Sequence, residues 1–296
     1  MAEAVFAQFL TGFSIVAILL IISLGLAIIF GVMRVINMAH GDFIMIGAYV
    51  AYVLQYYLHL NLFWAVPAAF VVLGLLGMVV EWGLIRQLYG RPLETLLATW
   101  GVSIILQAGI RLAFGPELRY VKAPDALSGE FPVPGSNLPF PYFRMFIIVL
   151  ALVLLLLTYW LLYRTDLGMH VRAVNQNRAM AAVLGIDTRR IDSAVFAFGS
   201  GLAGIAGVVV APIKTVSPIM GFKYAVDSYM VIVLGGVGRL AGTLAGATVI
   251  GEGETVLAFL FNNVIGELLV FTMIVLVIRV FPQGLFTIQH RRTENL

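Results

Sequence analysis

Asn37, His40 and Asp42 stand within six residues of one another in "GVMRVINMAHGDFIMIGAY", Gly31 to Tyr49. A carboxamide, an imidazole and a carboxylate at this spacing could bind a small polar solute or move a proton. Apolarity resumes within two residues on each side, and Ile36, Met38 and Ala39 are interleaved with the polar residues. Two readings fit. An ordinary turn would leave these side chains solvated, with Asp42 capping the next helix. A discontinuous helix would turn its open backbone and polar side chains toward a water-filled cavity, the place where irregular backbone is tolerated at membrane depth.

No catalytic set surrounds them. The four histidines, His40, His59, His170 and His290, are scattered along the chain, and neither His-Glu-x-x-His nor Gly-x-Ser-x-Gly occurs. The lack of cysteine excludes disulfides, thiol catalysis and thiolate metal sites. Glu94, Trp100, Gln107, Arg111, Glu252, Glu254 and Glu267 are the other notable polar or amphipathic residues in apolar surroundings. The charged ones are costly in lipid and should face protein, water or a membrane edge. Arg111 and Glu267 lie near expected helix ends and read as interface anchors.

The glycine-rich "LGGVGRLAGTLAGA" is not a phosphate cradle, since a P-loop needs Gly-Lys-Ser/Thr. The three lysines, Lys122, Lys214 and Lys223, each follow a residue other than glycine. A helix break at Gly235 and Gly236, followed by close packing through Gly242 and Gly246, fits better. The break either serves packing alone or also lines a pathway. "GSGLAGIAGVVVAP" offers a second small-residue face, with Ser200 and Gly204, then Ala203 and Gly207, four apart.

The elements that position these residues must be membrane helices. Of 296 residues 61% are hydrophobic and 11% charged, more apolar surface than a soluble domain of this size can hide. Spans are expected near 9–32, 40–58, 63–85, 94–114, 143–163 and 192–212, with at least two more within 224–281. The first ten residues carry Glu3 and no Lys or Arg, so the first run is expected to be retained rather than cleaved. Residues 115–142 hold six of the eleven prolines and form a surface loop or cover.

Residues 164–191 carry Arg164, Arg172, Arg178, Arg189 and Arg190, which makes this loop cytoplasmic by the positive-inside rule. Counting outward places 115–142 outside, Arg34, Arg86 and Arg91 inside, and the N-terminus outside. His290 to Arg292 fall inside only if the chain turns back near Gly235 to Gly242, giving nine membrane-crossing segments; with a full-length span there, the C-terminus lies outside. In "NQNRAMAAVLGI" either Asn175 or Asn177 caps a short helix that ends at Gly185, with Met180, Val183 and Leu184 on one side. Such a helix either lies on the membrane surface or docks in a groove of a cytoplasmic partner.

The chain resembles the permease subunits of bacterial ATP-binding-cassette importers, in the family that carries branched-chain amino acids and related small amides. "INMAHGDFIMIGAY" (Ile36 to Tyr49), "RAMAAVLGI" (Arg178 to Ile186) and "VIVLGGVGRLAGTLAGA" (Val231 to Ala247) carry the resemblance, in order and along nearly the whole chain. "GRPLETLLATWGVSIILQ" (Gly90 to Gln107) looks most like the urea-type members. One departure concerns the Glu-Ala-Ala motif of many importer permeases. Here the place reads Met180-Ala181-Ala182 and Gly185 follows one residue early, so docking would rest on the apolar face and on arginines such as Arg178.

The resemblance implies an all-α polytopic fold of eight or nine transmembrane segments, some discontinuous, forming one permease domain over residues 1–296 in the bacterial inner membrane. It implies a path for urea or a similar small amide past Asn37, His40, Asp42, Glu94, Trp100, Gly235 and Gly236, with a branched-chain amino acid as the rival cargo. ATPase coupling would fall to Arg178, Met180, Ala181, Ala182, Val183, Leu184 and Gly185. The implied partners are a second homologous permease, two cytoplasmic ATP-binding subunits, an extracytoplasmic solute-binding protein and membrane lipid, with no nucleic acid. ATP and Mg belong to the partner ATPases; no cofactor, metal or catalytic residue is expected in this chain. A stand-alone channel or proton-coupled transporter is the reading from another class. It would need an essential embedded ionisable group and has no use for a coupling loop.

Overall fold

The computed structural model describes residues 2–132, 139–281 and 284–285. His290 to Arg292, which bear on the side of the C-terminus, lie outside these residues, as does the middle of the proline-rich loop. The chain is a helical bundle of α1 (Ala2–Met33), α2 (His40–Tyr56), α3 (Leu62–Gly83), α4 (Pro92–Phe114), α5 (Tyr142–Arg164), α6 (Asp166–Gln176), α7 (Arg178–Val183), α8 (Thr188–Val210), α9 (Gly221–Gly235), α10 (Leu240–Leu260) and α11 (Asn263–Val280).

Among the described residues seven helices are long and apolar enough to cross a membrane: α1, α3, α4, α5, α8, α10 and α11. The protein is thus a polytopic membrane protein. The bundle sorts them by sequence. α1 is apolar all round and α8 is rich in glycine and alanine, and these two are largely enclosed, as a helix without a polar face should be. α3, α4, α5 and α11 turn large apolar side chains outward, where lipid is the natural solvent.

Small residues make the enclosure possible. A Cβ on Gly207 would overlap the Ile44 carbonyl oxygen of α2, and one on Gly204 would lie 2.7 Å from the Ala69 carbonyl of α3. The expected small-residue face of α8 therefore brings α2 and α3 into backbone contact. Gly242 and Gly246 do the same for α10 against Gly235 and Val231 of α9.

α2 and α9, at 17 and 15 residues, are about 26 and 22 Å long, short of a hydrocarbon core of about 30 Å. α2 starts inside the bundle, after the irregular segment 34–39, at a residue bonded to mid-α1. The backbones of Gly41 and Gly221 abut, so the N-terminus of α9 lies against that of α2. These two short helices stand beside the seven long ones, and the chain turns back between α9 and α10, at Gly236 (φ 94°) and Gly238 (φ 78°). The left-handed backbone there suits glycine, which has no Cβ to clash.

The arginine-rich segment and the ends of α3 and α5 gather at one pole, the basic pole. At the opposite pole the described part of the proline-rich loop forms a cover. Its strands β1 (Glu130–Pro132) and β2 (Pro139–Pro141) pair antiparallel. Gln55 at the end of α2 exchanges hydrogen bonds of 2.9 and 2.8 Å with the backbone of Lys122. The basic segment holds two helices where the sequence pattern points to one. In α6, Val171 and Val174 bury against the bundle, while Leu167 and Met169 stay exposed, so its apolar residues do not gather on one face.

Candidate functional site

Segment 34–39 has left the helix but not the protein interior. Asn37, His40 and Asp42 are all buried, at 0%, 0% and 2% exposure, so the solvated-turn reading does not describe them. The Asn37 side-chain oxygen accepts from the Ala39 amide at 3.1 Å, a local turn just before α2; Ala39, not Asp42, stands at the N-cap, and no side chain caps the helix there. His40 Nε2 lies 2.9 Å from the Ile22 carbonyl, halfway along α1, and the Ser228 hydroxyl of α9 donates to that same oxygen at 3.1 Å. α1, α2 and α9 are thereby joined through one carbonyl. Asn37 Nδ2 and His40 Nδ1 are buried without a hydrogen-bond partner among the described residues. Buried polar groups are nearly always satisfied, so these two atoms set the segment apart from the rest of the bundle.

α4 supplies the fourth wall. Its Thr99 hydroxyl accepts from the Met38 amide at 3.0 Å, and Gln107 donates to the Asp42 carboxylate at 3.0 Å and to Ser103 at 3.2 Å. Thr95, Thr99 and Ser103 recur every four residues and are the buried residues of α4. Glu94 and Trp100, which the sequence reading placed with Asn37, lie off this stripe. Trp100 is 55% exposed, and Glu94 is exposed and paired with Arg91 at 3.2 Å. The fold brings neither to the broken segment. Gly235 and Gly236 sit at the α9–α10 turn and serve backbone approach to Gly242. The useful signal in α4 was the hydroxyl stripe, hidden because threonine and serine are unremarkable in a membrane helix.

The basic pole holds a second constellation. α7 is capped by Asn177, whose side chain accepts from the Met180 amide at 3.0 Å, and it ends where Gly185 adopts φ 86°. Ala181 faces inward, while Met180, Val183 and Leu184 are exposed, the last two at 82% and 74%. Ala182 is exposed as well. Arg178 turns back into the protein. It pairs with the buried Asp192 of α8, and its guanidinium carbon lies 4.9 Å from the centre of the Tyr89 ring.

Tyr89 in turn donates to Glu81 of α3 at 2.6 Å. The buried Glu81 carboxylate also receives Arg86 at 3.1 Å and the Ser193 hydroxyl of α8 at 2.6 Å. Burial, then the hydrogen bond to Glu81, pushes the Tyr89 hydroxyl well above the usual phenol range, so it remains a donor. The network ties α7 to the ends of α3 and α8. Sequence reasoning missed Glu81, although an acid inside an apolar run is the expected sign of an internal partner.

Residues 8–278 match the family model described as "Branched-chain amino acid transport system / permease component". The chain is similar to the high-affinity branched-chain amino acid transport system permease protein LivH of Escherichia coli K12, 28% identical over 94% of each chain. It is similar also to the corresponding protein BraD of Pseudomonas aeruginosa, 26% identical over 94% of each. A shorter likeness, 32% identical over 39% of this chain and 36% of the relative, is to the ribose import permease protein RbsC of Escherichia coli K12. No solved structure matches.

Proposed function

The chain belongs to the family of branched-chain amino acid transport permease components, and on that premise we propose that it carries a branched-chain amino acid through the inner membrane as one permease of an ATP-driven importer. It is a multi-pass inner-membrane protein. The basic pole is then cytoplasmic and the proline-rich cover faces outside, as the arginine distribution asks. A second permease completes the path, a solute-binding protein delivers cargo to the outer pole, and two ATPases bind at the inner one.

The observation that carries this reading is α7: a six-residue helix with an apolar face open to the cytoplasm and its single arginine anchored inward. A helix resting on lipid needs no such anchor; a helix that must transmit force does. Docking rests on Met180, Val183 and Leu184, while Arg178 hands the displacement to α8 through Asp192 and to α3 through Tyr89 and Glu81. α8 packs on α2 at Gly204 and Gly207, so movement of α8 reaches the broken segment. Alternating access follows if the two arrangements of this helix set bind the ATPases with different affinity. Asn37, His40 and Asp42, with Gln107 and Thr99, would then line or gate the path.

A second reading, urea or a similar small amide as cargo, rests on the resemblance read in Gly90 to Gln107 alone; the relatives matched over 94% of the chain are branched-chain amino acid permeases. Competition decides between them. In vesicles bearing the assembled importer and its binding protein, unlabelled leucine should suppress uptake of labelled leucine, and no urea uptake should occur. Uptake of urea with no leucine uptake would select the second reading.

A further inference from the structure

Two adjoining cavities of about 260 and 220 Å³ open beside α1, α9 and α10, the larger against α11 and the smaller against the end of α8, with Leu19, Lys223, Asp227 and Glu254 in the lining of both. Met230, Ile250 and Val270 give the larger one apolar walls, and Lys214 adds a second ammonium to the smaller. Asp227 precedes Ser228, which bonds to the same Ile22 carbonyl as His40. The cavities therefore reach the depth of the broken segment. Lys223 pairs with Glu267 at 3.1 Å. Asp227 and Glu254 make no hydrogen bond and no ion pair within 4.0 Å among the described residues.

An unpaired carboxylate in a membrane helix is expensive unless it faces water or a charged guest. Three carboxylates, Asp227, Glu254 and the Lys223-paired Glu267, with two ammonium groups around apolar walls are a poor site for a neutral amide. They match a zwitterion with an aliphatic side chain. We propose that this cavity is an amino-acid subsite of the translocation path, with Asp227 and Glu254 taking the α-ammonium, Lys223 the α-carboxylate, and Leu19, Ile250 and Val270 the side chain. The inference rests on the amino-acid reading of the preceding section and adds the place and polarity of binding.

The test uses the complete importer in vesicles, with labelled leucine as the probe. Uptake by the unaltered protein is the control that judges the cargo reading by itself. Asp227→Asn and Glu254→Gln remove charge at nearly unchanged volume. Each is expected to raise the half-saturating leucine concentration roughly tenfold or more, the loss typical of a charged hydrogen bond, with assembly and basal ATP hydrolysis retained. Unchanged half-saturation in both variants, beside normal uptake by the control, overturns the subsite.

The second measurement does not depend on transport by the variants. The chain has no cysteine, so Met230→Cys introduces one thiol into it at the cavity wall. A membrane-impermeant maleimide applied from outside should label this thiol, and leucine should slow the labelling several-fold. Absence of labelling, or labelling that leucine leaves untouched, contradicts the proposal even if a charge variant fails to assemble.

Discussion

The guanidinium of Arg178 lies over the ring of Tyr89, 4.9 Å from its centre, while pairing with the buried carboxylate of Asp192. A residue of the α7 helix thus bridges a loop that follows α3 and the first turn of α8. Removing its charge should break transmission without breaking docking, because the docking face lies on other residues. Arg178→Met is expected to lower ATP-driven uptake on the order of tenfold, as loss of a coupling free energy does, while ATP hydrolysis continues without its response to loaded binding protein. Hydrolysis and uptake measured in the same vesicles check this; a parallel fall in both would make Arg178 part of the docking surface.

The docking face itself yields to charge. Val183 and Leu184 are exposed, so Val183→Asp and Met180→Asp should leave the permease folded and inserted. Burying an unpaired carboxylate against an apolar groove is unfavourable, and the ATPases should no longer co-purify. Leu184→Pro should abolish uptake by disturbing the end of the helix. Retained co-purification and uptake in all three would remove α7 from the interface.

The broken segment is tested by Asn37→Leu combined with His40→Leu. Both positions are fully buried, and each substitution replaces a side chain that has an unpartnered polar atom with an apolar one. Uptake should fall while insertion and ATPase assembly persist. Normal uptake would reduce the segment to a structural break.

Packing at the α2–α8 crossing gives a prediction about stability alone. A methyl on Gly207 would overlap the Ile44 carbonyl, so Gly207→Ala should destabilise the detergent-solubilised protein by about 1–3 kcal/mol. A methyl on Gly101 of α4 would meet nothing within 4 Å, and Gly101→Ala should be neutral or stabilising, since alanine favours helix by up to about 1 kcal/mol. Thermal unfolding of the two variants side by side reads the difference.

The helices were legible because lipid demands long apolar runs, and the breaks at 34–39 and 236–239 because glycine and polar residues interrupt those runs. Gly185 was legible as the helix stop, and Asn177 as one of two candidate caps beside Asn175, for local reasons. What lay beyond the sequence was rotation and distance. Glu94 and Trp100 share a helix with Thr99 and Gln107, yet only the latter pair faces the broken segment, a difference of helical phase that a single apolar helix does not reveal. Glu81 and Ser193 stand 112 positions apart in the chain, and no local pattern announces that they meet. Asp227 drew no notice, and Lys223 none beyond excluding a P-loop, because α9 reads in sequence as the start of one continuous apolar stretch.

The most direct test is accumulation of labelled leucine in vesicles that hold this chain with its partner permease, ATPases and binding protein, with and without ATP, beside vesicles that hold this chain alone. Accumulation that requires ATP and every partner is the predicted result. Leucine or urea flux through the chain alone, indifferent to ATP, would contradict its role as an importer permease.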